Sequence, residues 1–132
     1  MSEHVLEITA QPEDIDELGH VNNAVWVRWI QDMATAHWSA IAPPEYVERY
    51  IWVVSRHEID YRGNVSAGET VTGRTWISDP PKGARFWRNV SFTGVDGKLK
   101  VSAKTNWAII DQQSGRPVRV PQTLADLFLK PE

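Results

Sequence analysis

Ten consecutive residues, Asp14-Ile15-Asp16-Glu17-Leu18-Gly19-His20-Val21-Asn22-Asn23, concentrate the groups of this chain that can do chemistry. They supply carboxylates, a histidine and a glycine where the backbone can turn sharply. A helical pattern begins where they end, at about Asn23. The first turn of a helix carries partial positive charge and N–H groups with no intrahelical acceptor. A carboxylate held beside such donors has what a base or nucleophile needs, with a place for a developing oxyanion next to it. The same residues also suit a structural role, since Asp, Asn and Gly before a helix are what a cap and turn use. Composition alone leaves both roles open.

Other chemistries find less support. The chain has no cysteine, which removes disulfides, a thiol nucleophile and a cysteine zinc site. Its histidines, at positions 4, 20, 37 and 57, show no paired ligand spacing, so no metal and no cofactor is expected. No Gly-x-Ser-x-Gly elbow is present. A net charge of -3 argues against a nucleic-acid partner, although local basic clusters could meet a polyanionic small molecule. No apolar run approaches the roughly 18 residues of a membrane span, and Met1–Leu6 does not read as a signal peptide. A cytoplasmic protein is the expectation. Seven tryptophans suit cores, interfaces and binding slots alike; their number does not separate an aromatic slot from a packed dimer seam, and the seam is the expectation.

The elements that must position the acidic loop follow from periodicity. At 132 residues, 42% of them hydrophobic, the chain fits one domain over residues 1–132 with a real core. Val5–Ala10 reads as a strand and Gln11–Gly19 as a loop. From about Asn23 to Ile41 a helix carries Arg28, Gln31, Asp32, Thr35 and Ser39 on one stripe, and Trp26, Ile30, Met33, His37 and Ile41 on another. Most of its circumference is apolar, so it should be largely covered. Asn22 or Asn23 can cap it, and Pro43-Pro44 stops it. After a short piece at Glu45–Arg49, strands are expected at Ile51–Tyr61, Thr70–Ser78, Arg85–Val95 and Lys98–Asp111. Asp96-Gly97 gives a two-residue hairpin signal, and Leu99, Val101, Ala103, Trp107 and Ile109 share a face that should lie on the core. A terminal helix is expected at Thr123–Leu129. One long helix followed by an antiparallel meander implies an α+β fold, the sheet wrapped around the helix.

Beyond these patterns, Asp14-x-Asp16-x-x-Gly19-His20-Val21-Asn22-Asn23, followed by Ala24, Trp26 and Arg28-Trp29, resembles the signature of the 4-hydroxybenzoyl-CoA-thioesterase-like family, acyl-CoA thioesterases of the hot-dog fold. The likeness continues through Ile59-Asp60-Tyr61-Arg62, Gly68-Glu69, Asp111, Gly115-Arg116-Pro117 and Val120-Pro121, nearly the whole chain in order. The resemblance implies hydrolysis of an acyl-CoA or acyl-carrier-protein thioester to an acid and a free thiol. It assigns Asp16 as the carboxylate that attacks the carbonyl or activates water, and the backbone N–H of Asn23 as the oxyanion donor. Asp14, Gly19, His20 and Asn22 would support the loop. It also implies a site between subunits, hence a homodimer or homotetramer.

This sequence departs from the family pattern in two places. Trp26 stands where a tyrosine is usual, removing a hydroxyl from the acyl side, and Gly63-Asn64 stands where a proline is frequent. Trp26, Tyr61 and Arg62 are candidates for substrate contact. Lys82, Arg85 and Arg88 cluster near a loop, either to meet the phosphates of coenzyme A or as solvated surface charge. Two alternatives stand beside hydrolysis: a hydratase or dehydratase of acyl thioesters, in which His20 would shuttle protons, and a non-catalytic acyl-binding module.

Overall fold

A computed structural model describes residues 1–131. The elements run β1 (Glu3–Thr9), a 3-10 turn (Pro12–Asp14), α1 (Asn23–Ile41), α2 (Pro44–Arg49), β2 (Tyr50–Tyr61), β3 (Thr70–Trp76), β4 (Arg85–Gly94), β5 (Leu99–Asp111) and α3 (Gln122–Leu129). The strands form one antiparallel sheet in the order β1-β3-β4-β5-β2, so β1 and β2 are its two edges. Among the described residues no helix is long and apolar enough to cross a membrane.

The long helix lies against the sheet by one face and leaves the other open, less covered than its mostly apolar circumference implied. Arg28, Gln31, Asp32, Thr35 and Ser39 are exposed, whereas Trp26, Ile30, Met33 and His37 are buried. Close approach of α1 depends on Gly73 of β3, where an added Cβ would stand 2.7 Å from Met33 Sδ and 3.0 Å from Phe92 Cε1. The helix starts at Asn22, whose side chain accepts from the Ala24 N–H, and it ends just before Pro43-Pro44.

Two expectations for the β4–β5 hairpin are corrected. Gly94 and Lys98 are hydrogen-bonded around Val95–Gly97, with Gly97 at φ 78°. This is a three-residue loop ending in a left-handed glycine, not a two-residue turn on Asp96-Gly97. Leu99, beside that loop, is exposed, while Val101, Ala103 and Ile109 are buried as expected.

The core divides into two apolar clusters. One gathers Trp26, Trp29, Ile30, Met33, Phe92 and Val101 around the first half of α1. The other gathers Phe86, Ile109, Leu124 and Phe128, with Trp38 and Trp52 against it, around α3 and the end of α1. A buried polar layer comes between them in the order of each element: His37 on α1, Thr75 on β3, Arg88 on β4 and Thr105 on β5.

Candidate active site

The acidic loop is bound into a fixed shape by its own backbone. Asp16 N–H donates to His20 O at 2.8 Å, Gly19 N–H donates to Asp16 O at 3.0 Å, and Ile15 pairs with Val21 across the turn. Gly19 sits at φ 81°, a conformation that a side chain would strain. Val21 N–H donates to Val65 O at 2.9 Å, tying the loop to the segment between β2 and β3.

The two aspartates are held differently. Asp14 is 5% exposed, and its carboxylate accepts from the Gln11 N–H at 2.9 Å and from Arg28 Nη2 at 3.0 Å. Its carbonyl also accepts from the Asn22 N–H at 3.0 Å. Both side-chain oxygens are thus engaged, Oδ1 in fastening the loop to α1 and Oδ2 in closing the 3-10 turn. Asp16 is half-buried, and Oδ1 accepts from the Leu18 N–H at 2.9 Å and the His20 N–H at 3.3 Å. No hydrogen bond among the described residues engages its Oδ2. One oxygen is pinned and the other is available.

At the helix start the first-turn amides are satisfied unequally. Ala24 N–H donates to Asn22 Oδ1, and the Val25 and Trp26 N–H groups donate to Asn22 O. The Asn23 N–H has no acceptor among the described residues, so the cap leaves this first-turn amide free. Asn22 acts as the cap, and His20 contributes its backbone to both the turn and the Asp16 carboxylate.

The remaining candidates separate. Trp26 is 2% exposed and packs against Trp29 and Phe92 in the core. Tyr61 and Arg62, at the end of β2, are exposed, as are Lys82 and Arg85. Arg88 is a correction. Solvated surface charge is not its role, because its side chain is buried at 4% exposure. The missed signal was parity: Arg88 alternates in phase with Phe86, Val90 and Phe92 on β4, all of them buried, whereas Arg85 has the opposite phase.

A cavity of about 330 Å³ opens at the far end of α1. Trp38, Trp52, Phe86, Trp107 and Phe128 line it, with Arg88 among them, and none of the residues from Asp14 to Asn23 does. It meets α1 first at Ala34, roughly 16 Å along the helix from Asn23 at about 1.5 Å per residue.

Comparison with known proteins agrees with this architecture. The family model of the thioesterase-like superfamily matches residues 10–128. The chain belongs to the thioesterase-like superfamily. That membership places it among the thioester hydrolases. No curated protein matches it by sequence. Among solved structures it is similar to DHNA-CoA thioesterase from Staphylococcus aureus, at 18% identity and TM-score 0.79, over 90% of this chain and 81% of that one. It is similar to a 1,4-dihydroxy-2-naphthoyl-CoA thioesterase from Synechocystis, at 14% identity and TM-score 0.79, over 96% and 95% of the two chains. A third likeness is to an acyl-ACP thioesterase from Bacteroides thetaiotaomicron, at 23% identity and TM-score 0.82, over 98% of this chain and 54% of that one. At these identities the structures establish the shared hot-dog fold.

Proposed function

We propose that the protein hydrolyses acyl thioesters of coenzyme A or an acyl-carrier protein, with Asp16 as the reacting carboxylate and the Asn23 N–H as oxyanion donor. The observation that carries this reading is that two groups are left unengaged, Asp16 Oδ2 in the loop that leads into α1 and the amide of Asn23 in its first turn. In the reaction the thioester oxygen accepts from the Asn23 N–H as it gains negative charge. Either Asp16 takes a proton from the water that adds to the carbonyl carbon and passes it to the departing thiolate, or Asp16 itself adds, the thiolate leaves and takes a proton from solvent, and water then cleaves the mixed anhydride to free the acid and restore the carboxylate. Asp14 holds the loop through Arg28 and takes no part in bond making. Exposed Lys82 and Arg85 suit contact with the coenzyme A phosphates.

The working unit in this reading is a homodimer joined along β2. That edge strand is 12 residues long and exposes Ile51 and Val53, at 46% and 43%. A long edge left open, apolar in its first half, is an invitation to pair with another strand. Light scattering at assay concentration checks it, and a monomer would refute this part.

The central test is thiol release from a panel of acyl- and aryl-CoA thioesters. Asp16→Asn should lower turnover by roughly two to four powers of ten, the usual loss for a positioned acid–base group. A folded variant that turns over like the wild type would remove Asp16 from the mechanism. Formation of an enoyl product without thiol would point to a hydratase or dehydratase instead.

A further inference from the structure

We propose that the cavity at the far end of α1 binds an apolar molecule bearing a carboxylate, with the Arg88 guanidinium as its counter-charge. Arg88 is a buried cation without a carboxylate partner among the described residues. A charge taken out of water is costly unless it is paired. Its protein contacts are all neutral. Nη1 donates to His37 Nδ1 at 2.8 Å and to Thr75 Oγ1 at 2.9 Å, and the guanidinium lies 5.3 Å from the centre of the Phe128 ring.

These bonds fix the charge state around the arginine. Because His37 Nδ1 accepts from Arg88, its proton sits on Nε2, which donates to Ser2 Oγ at 2.8 Å. Thr75 Oγ1 in turn donates to Asn89 O at 2.9 Å. The layer therefore orients the guanidinium without neutralising it. No hydrogen bond among the described residues engages Nη2 or Nε, and an arginine presents these in a planar fork that matches a carboxylate. Trp107, another wall of the cavity, has an indole N–H that is buried without an acceptor.

The rest of the wall defines the other half of the ligand. Trp38, Trp52, Phe86 and Phe128 offer flat apolar surface, suited to an alkyl chain or a ring. The carboxylate has two possible origins with the same chemistry. It is either that of a free acid, such as the product of thioester cleavage, or a second carboxyl at the far end of an acyl group whose thioester lies at Asp16.

Calorimetric titration of the intact protein at pH 7.5 with octanoate and with 1-octanol tests the binding claim without turnover. Wild type should bind octanoate at least about tenfold more tightly than the alcohol, as a charge-assisted pair with a buried arginine requires. Arg88→Met should bring the two ligands to similar affinity. Thr35→Trp, on the exposed stripe of α1 and at the wall of the cavity, should weaken both. Equal affinities in wild type would overturn the proposal, and so would octanoate binding untouched by Thr35→Trp. These two results stand even where Arg88→Met fails to fold.

The second arm rests on the thioesterase reading and distinguishes the two origins. Hydrolysis of suberoyl-CoA is compared with that of octanoyl-CoA. A kcat/KM preference of about tenfold for suberoyl-CoA, lost in Arg88→Met, would assign the carboxylate to the substrate. Octanoate binding with no such preference would assign it to a free acid. Absence of any thiol release would strike the thioesterase reading alone and leave the binding result intact.

Discussion

Acidification should destabilise this protein through one residue, His37. Its ring is fully buried between Ser2 and Arg88 and stacks on His4 with ring centres 5.6 Å apart. Burial first, then the Arg88 guanidinium, then His4, lower its pKa from 6.5 to about 3. In the unfolded chain the same imidazole titrates near 6.5. Above that pH both states are neutral and the contribution to stability is complete. Between pH 6.5 and about 3 the unfolded state binds the extra proton, so stability falls as pH falls. At pH 5 the loss is about 1.5 pH units at roughly 1.36 kcal/mol each, or about 2 kcal/mol. Urea unfolding followed by tryptophan fluorescence at pH 7.5 and pH 5 measures it. His37→Gln keeps an amide donor and acceptor in place and removes the titration. His57, whose pKa burial also lowers, remains in both proteins and cancels in the difference. Wild type should therefore lose about 2 kcal/mol more than the variant over that interval. Equal losses would refute a neutral, buried His37 and the orientation of Arg88 that depends on it.

Three further outcomes follow from the loop and the sheet. Asp14→Asn should cost about 1–3 kcal/mol in urea unfolding, because the buried Asp14 carboxylate loses a charge-assisted contact to the half-exposed Arg28, yet lower kcat far less than Asp16→Asn. Equal kinetic losses at the two positions would show that the pair is misassigned. Gly73→Ala should destabilise by about 1–3 kcal/mol through overpacking against Met33 and Phe92, and an unchanged melting temperature would show slack at that contact. Gly19→Ala should cost about 1–2 kcal/mol and lower turnover along with it, since the turn that orders Asp16 needs a positive φ; full activity would separate loop geometry from catalysis.

The local elements of this fold were legible because local periods govern them. The 3.6-residue stripe on α1 separated its exposed from its buried face; Pro43-Pro44 marked its end, and of the two candidate caps, Asn22 and Asn23, the structure uses Asn22. The acidic loop and its free helix amide were also readable, since caps and turns depend on residues only a few positions apart. The hairpin loop was misread by one residue because both loop forms use a glycine after an aspartate, and closure by Gly94 and Lys98 decides between them.

Strand order and the inside of the core belong to tertiary structure. Proximity in sequence grouped Arg88 with Lys82 and Arg85, but strand alternation turns Arg88 inward, and His37 and Thr75 from two other elements receive it there. The cavity likewise exists only where α1, β2, the sheet and α3 meet. A local pattern tells which face of an element turns away from water. What that face then meets depends on contacts far apart along the chain, which no short stretch of sequence contains.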